Sequence, residues 1–252
     1  MTFDGKVAIV TGAGQGIGFE ICNKLAHQGA MVILNDIDAA IADTAAEKIT
    51  RATNGRCIAI SGDSSDPQFI KHLVDTAVDK FGSLDIVVAN AGITLFGNFF
   101  TYDPAALSRV MEVNIGGTFL IAQAAANQMK TQANGGSLLF TSSVTGHQAH
   151  KDLAAYSMSK AAIEMLAKNL VIELSEFNIN VNTVAPGATL TERTMDDPEY
   201  EKTWKKITPM KRPATVHDIA DTVMFLVSDK AKHITGQSIV VDGGWICVSP
   251  SP

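Results

Sequence analysis

The sequence predicts an α/β protein built on a doubly wound parallel sheet of about seven strands, with helices on both faces. Three observations carry that expectation. Short β-branched runs alternate with longer segments of helical period, the pattern of strands joined by crossover helices. Several runs are apolar throughout, Val7-Ala8-Ile9-Val10 first among them, as befits strands covered on both faces. No proline-rich linker, internal repeat or low-complexity tract divides the 252 residues, so a single domain over 1–252 is expected.

The elements follow in order. After the strand at 7–10, helical spacing runs over 17–27, then Met31-Val32-Ile33-Leu34 makes a second strand and 39–53 a second helix. Residues 56–60 and 69–81 repeat the pair, and Ile86-Val87-Val88-Ala89 is the fourth strand. One long helix is expected over 104–129, with Asp103 as its cap and Pro104 in its first turn, since proline lacks only a donor that is unpaired there anyway. Asn134-Gly135-Gly136 turns the chain into a fifth strand at 137–141, followed by a helix at 155–177 and a sixth strand at 179–184. Beyond Pro186 the pattern breaks. The stretch 190–210 is polar, mixed and punctuated by Pro198 and Pro209, and long irregular segments in compact domains are often functional lids. A helix at 216–228 and a strand at 238–241 close the chain.

Composition excludes several classes. Hydrophobic residues make up 46% and charged residues 18%, a globular balance. The formal net charge of −6 argues against nucleic acid or an anionic membrane as partner. The three cysteines, Cys22, Cys57 and Cys247, are widely spaced and suggest neither a disulfide framework nor a metal site. The first residues lack a basic segment followed by an apolar run, and no apolar stretch reaches membrane-spanning length, so a cytoplasmic, reduced, soluble protein is expected.

Chemistry gathers where strands end. Thr11-Gly12-Ala13-Gly14-Gln15-Gly16-Ile17-Gly18 lies between the first strand and the first helix. Glycines there permit positive φ and close approach of backbone to a pyrophosphate, and the helix N-terminus supplies free N–H groups. This is the mark of a Rossmann-type dinucleotide site. Gly12, Gln15, Gly16, Ile17 and Gly18 are its candidate contacts. Asp36 ends the second strand, where a carboxylate can accept from both ribose hydroxyls and repel a 2′-phosphate. The next residue is Ile37 rather than arginine, which favours NAD over NADP. Asp63-Ser64 follows the third strand and Asn90-Ala91-Gly92 the fourth. Taken singly each would be loop chemistry, but ligands of open α/β sheets collect at these carboxyl ends.

Tyr156 and Lys160 lie four residues apart on an expected helix, so they share one face. An ammonium beside a phenol favours the phenolate, and such a couple can exchange a proton with an alcohol or carbonyl oxygen. Ser143, at the end of the fifth strand, can hydrogen-bond the same oxygen.

Taken together these motifs resemble the short-chain dehydrogenase/reductase family. The similarity covers almost the whole chain and includes Val113-Asn114, Ser142-Ser143, Tyr156-Ser157-Met158-Ser159-Lys160, Pro186-Gly187 and Val241-Asp242-Gly243-Gly244. The resemblance implies a catalytic group of Ser143, Tyr156 and Lys160, with Asn114 holding a water that links Lys160 to solvent. It places Asp63 at the adenine amino group, Asn90 along the adenosine, and Thr189 and Thr191, after Pro186-Gly187, at the nicotinamide carboxamide. Family spacing to the tyrosine selects Ser143 over Ser142. Two departures from the family pattern are Ala89, where a second asparagine is common, and Ser64, where valine is common.

The expected function is NAD(H)-dependent interconversion of a secondary alcohol, such as a sugar or polyol, with its ketone or lactone. The resemblance extends to bacterial NAD-dependent sugar and alcohol dehydrogenases such as glucose dehydrogenases, commonly homotetramers with an interface near 241–245. The rivals are a 3-oxoacyl-thioester reductase and a non-catalytic dinucleotide-binding sensor. His147, His150, Lys151 and Asp152 flank the expected site and are read as solvated rather than assigned a role, while Glu192 and Arg193, just after the carboxamide segment, are weighed between meeting a polar substrate and capping a helix. Phe96, Phe99 and Phe100 are weighed between pocket wall and core or interface.

Overall fold

The computed structural model describes residues 2–248. Seven parallel strands run in the order β3-β2-β1-β4-β5-β6-β9: β1 Val7–Val10, β2 Met31–Asp36, β3 Cys57–Ser61, β4 Ile86–Ala89, β5 Gly136–Thr141, β6 Ile179–Pro186 and β9 Ser238–Val241. The order reverses between β1 and β4, which both pair in parallel register, Ile9 opposite Ile33 on one side and Val87 on the other. That reversal opens a crevice at the carboxyl ends of the strands.

Helices α1 Gly16–His27, α2 Ala39–Thr53 and α9 Val216–Leu226 bury Ile21, Leu25, Ile49 and Val223 against one sheet face. On the other face α3 Pro67–Phe81, α5 Thr118–Met129 and α6 Ala154–Leu174 pack Leu73, Ile121, Met129 and Ile163 on Val87, Leu138 and Phe140. A β-strand buried on both faces has no polar side to show, and β1, β4 and β6 are buried along their whole length. Cys22 and Cys57 belong to the first of these cores, where burial raises both thiols, Cys57 to about 12.

Three expectations need correction. The helix expected over 104–129 is divided into α4 Pro104–Val110, a wider π turn over Met111–Gly117 and α5. Its predicted start holds, because Asp103 accepts the Ala105 amide at 2.9 Å with Pro104 in the first turn. The helix over 155–177 ends at Leu174 and finishes in a tighter 3-10 turn to Phe177 before Asn178 turns left-handed. The stretch 190–210 is ordered: β7 Thr189–Leu190 pairs in parallel with β8 Ala214–Thr215, and α7 Glu192–Met195 and α8 Tyr200–Ile207 lie between. Trp204 stacks edge-on against Trp245, their centroids 5.3 Å apart, which fastens α8 to the last turn of the described chain. Short elements like these carry too few residues for a periodic signal. Among the described residues no helix is long and apolar enough to cross a membrane.

Candidate active site

A cleft of about 360 Å³ opens at the carboxyl ends of the strands, beside the β1/β4 reversal. Its floor is the turn from β1 into α1. Gly12 has φ +58°, and a Cβ there would lie 2.7 Å from Ala91 Cα, so only glycine fits. The amide of Gly14 donates to Asp36 Oδ2 at 2.9 Å. The first turn of α1 has no acidic residue and no side-chain cap. Its N–H groups are free for an anion, and the helix dipole favours one. In contrast α2, α3 and α4 are capped by Asp38, Asp66 and Asp103. Asp38, not Asp36, therefore caps α2, and Asp36 stays on the cleft wall beside Ile37.

The turn is held by a clamp from β4. Asn90 Nδ2 donates to the carbonyls of Thr11 and Gly12 at 3.1 and 2.8 Å, while its Oδ1 accepts from Thr141 at 3.2 Å. The Thr11 hydroxyl accepts the amides of Asn90 and Ala91, each at 3.1 Å. Asn90 lines the cleft, yet its amide is committed to shaping the turn. Asp63 and Ser64 line the same cleft. Partial burial works against the Asp63 charge, but the Ser65 hydroxyl and amide and the Arg109 guanidinium hold its carboxyl below the usual range. The Arg109 contact is 3.0 Å.

At the other end Tyr156 and Lys160 rise from α6 into the cleft. Lys160 Nζ donates to the Thr141 carbonyl at 2.7 Å and lies 5.5 Å from the centre of the Tyr156 ring. Only 3% of Lys160 is exposed. Burial lowers the pKa of this lysine, with Tyr156 acting in the opposite sense. Ser143 lies two residues beyond β5 on extended backbone, and its Oγ accepts from the Thr145 amide and hydroxyl at 3.2 and 3.1 Å. Both contacts use oxygen lone pairs and leave the hydroxyl proton to donate. Ser142 turns the opposite way, its hydroxyl 2.7 Å from Glu164. Asn114 lies in the π turn, fully buried, where Oδ1 accepts the Ile93 amide at 2.8 Å and Nδ2 donates to the Ile93 carbonyl and Ser159. Its side chain thus fixes the chain leaving β4.

Gly12, Gln15, Gly16, Ile17, Gly18, Ala91, Gly92 and Thr191 also line the cleft. Ser143, Asn114, Pro186, Gly187 and Thr189 lie outside its lining. Thr189 is buried, donating to the Gly187 carbonyl at 3.0 Å, and Gly187 donates to Val241 at 2.9 Å, so this corner fixes the chain entering β7 and α7. Arg109 is a wall residue that the sequence reading did not name. Its only signal was an i, i+3 partner, Glu112, now at 2.9 Å. Glu192 and Arg193, weighed between substrate contact and a helix cap, both line the cleft from α7. A larger concavity of about 840 Å³, bordered by Lys6, Asp85 and Lys232, sits at the opposite ends of the strands, away from the glycine turn and the Tyr156–Lys160 pair.

Comparison with known proteins agrees with this geometry. A family model described as Enoyl-(Acyl carrier protein) reductase matches residues 12–246. The chain is 36% identical to an L-rhamnose 1-dehydrogenase (NAD(P)(+)) of a Sphingomonas species, over 96% of both chains. It is also 36% identical to the 7alpha-hydroxysteroid dehydrogenase of Escherichia coli K12, over 98% of this chain and 96% of that one. A solved structure of a 7alpha-hydroxysteroid dehydrogenase with NADH and 7-oxo glycochenodeoxycholic acid superposes with a TM-score of 0.91, at 36% identity over 96% and 94% of the two chains. A short-chain dehydrogenase/reductase of Serratia marcescens does so with a TM-score of 0.91, at 34% identity over 97% and 99%. The chain belongs to the short-chain dehydrogenase/reductase family of oxidoreductases.

Proposed function

We propose that the protein uses NAD(H) to interconvert a secondary alcohol and its ketone, with Tyr156 as the proton carrier. The observation that carries this reading is the single cleft that the glycine turn, Asp36, Tyr156 and Lys160 share. The residues fit a dinucleotide. Uncapped amides at the start of α1 suit a diphosphate, and Asp36, followed by Ile37 rather than a cation, suits two ribose hydroxyls and disfavours a 2′-phosphate. A bound dinucleotide supplies the hydride acceptor or donor.

The chain's own residues do the remaining work. Ser143 donates its free proton to the substrate oxygen and orients it. Tyr156 takes that oxygen's proton on oxidation and returns it on reduction. Lys160 places a positive charge one helical turn from the phenol, which stabilises negative charge developing on the phenol oxygen. Lys160 would also hold the ribose hydroxyls of a bound dinucleotide. Asn114 anchors Ile93 and Ser159 to the π turn. The segment from Leu190 to Met210 serves as a lid over the substrate. A sugar, polyol or similar small hydroxy compound is the proposed substrate class, and the rhamnose dehydrogenase relative supports it. A homo-oligomer is proposed as well: Met158, Met165 and Ile172, seven residues apart on α6, are exposed together with Phe119 of α5, an apolar stripe that suits contact with a second copy.

Fluorescence titration with NADH and NADPH tests the cofactor. Absorbance of the reduced nicotinamide then tests turnover against sugars, polyols, a hydroxysteroid and a 3-oxoacyl thioester. Tighter NADH binding with turnover of a sugar or polyol is expected. Failure to bind either nucleotide overturns the reading, and turnover confined to the thioester replaces the substrate class.

A further inference from the structure

One carboxylate grips the serine turn at both ends. Residues Ser143 to Gly146 form a tight turn after β5, closed by the Gly146 amide donating to the Ser143 carbonyl at 2.9 Å. Ser142 precedes that turn, and its hydroxyl lies 2.7 Å from Glu164 Oε1 and 3.1 Å from the Lys160 carbonyl. His147 follows the turn, with Nε2 2.8 Å from the same Glu164 oxygen and 3.3 Å from the Ser238 hydroxyl of β9. Glu164 is buried on α6, 9% exposed, one helical turn beyond Lys160. Between the two anchors the backbone lies flat on α6: a Cβ at Gly146 would come within 3.2 Å of the Ala161 amide and 3.3 Å of Glu164 Oε1. The turn carrying Ser143 is therefore tied to the helix carrying Tyr156 and Lys160 by this pair of hydrogen bonds, with the glycine seated between them.

We infer that Glu164 is a positioning residue for the reaction, setting the Ser143 hydroxyl in register with Tyr156 by clamping Ser142 and His147 onto α6. This rests on the proposed role of Ser143. A buried carboxylate that accepts two hydrogen bonds is costly to leave incomplete, and so is a serine turn displaced by an ångström, which lowers turnover steeply.

The test uses the full chain and steady-state kinetics beside NADH titration. Glu164→Ala is expected to lower kcat by about 10- to 100-fold while the dissociation constant for NADH stays at the wild-type value. Glu164→Gln, whose amide oxygen can accept from both Ser142 and His147, is expected to restore most of the rate. In a Ser143→Ala background Glu164→Ala is expected to add little, because the clamp acts through Ser143. Should Glu164→Ala not fold, Ser142→Ala and His147→Ala each release one end and are expected to show the same non-additivity. Wild-type kcat in Glu164→Ala overturns the inference, as does an equal loss in both backgrounds. Full turnover by Ser143→Ala overturns the role of Ser143 and the inference with it.

Discussion

Gly18→Ala puts a methyl where the structure leaves no space. Its Cβ would lie 2.5 Å from the Gly12 carbonyl oxygen, 2.6 Å from Asn90 Nδ2 and 2.8 Å from Ala13 Cα. Two of these atoms are backbone and cannot rotate aside. An extra carbon in a packed site costs about 1–3 kcal/mol. Prising apart the 2.8 Å bond from Asn90 to the Gly12 carbonyl costs about 1 kcal/mol more. Alanine returns roughly 1 kcal/mol through its helix propensity, so the net loss is about 1–3 kcal/mol. For a domain of this size each kcal/mol moves the melting temperature by about 2–4 °C, a fall of roughly 2–12 °C. The methyl also pushes the turn off the amides that would hold a diphosphate. Loss of one or two such hydrogen bonds weakens binding about tenfold or more. Thermal unfolding followed by circular dichroism, with NADH titration at a temperature where both proteins are folded, measures the two effects. Gly55→Ala is the control. It sits at φ +87° with nothing within 4 Å of the added carbon, so it carries backbone strain of about 1–2 kcal/mol and leaves NADH affinity alone. A Gly18→Ala protein with wild-type melting and wild-type NADH affinity would refute the reasoning.

Tyr156→Phe removes the proposed proton carrier and should lower kcat by about 10²–10⁴-fold with NADH binding preserved. Near-normal turnover would assign the proton to another group. Asp36→Asn keeps an oxygen for the Gly14 amide and removes the charge. A like charge about 4 Å away costs about 1 kcal/mol in water and about 4 at intermediate dielectric, so NADPH binding should strengthen relative to NADH by at least about fivefold. An unchanged ratio in paired titrations counts against Asp36 as the ribose ligand. Asp218 receives both Arg212 nitrogens, at 2.7 and 2.9 Å, and the Thr215 amide at 2.7 Å. The Arg212 hydrogen bonds, opposed by partial burial and aided by Thr215, hold its carboxyl well below the usual range. Its stabilising contribution is therefore present above the ordinary aspartate pKa near 4 and fades as pH falls below it. Asp218→Asn should cost on the order of 1 kcal/mol at neutral pH through the weakened cap, with the difference shrinking in acid. Urea melts at pH 7 and pH 3 check this, and an equal deficit at both would refute it.

The sequence by itself determined the layer order and the strand ends at which the candidate site lies. Val7 to Val10 and Ile86 to Ala89 are apolar at every position, which only a strand covered on both faces requires, and each is followed at once by small or polar residues that the sheet delivers to one edge. The four-residue step from Tyr156 to Lys160 needed only helix geometry to put both on one face. Tertiary structure decided what the polar atoms at that edge do. Asn90 and Asn114 read as site residues, yet their amides are spent on the backbones of Gly12 and Ile93, because a turn in a buried corner must find partners for its carbonyls and amides. The π turn around Asn114 has no periodic signature that a window of sequence reveals, and α7 and α8 are too short to show one. Arg109 and Glu164 each meet their partners, Asp63 and the pair Ser142–His147, across many intervening residues. Such contacts depend on how helices settle on the sheet, a matter of packing that no local pattern records.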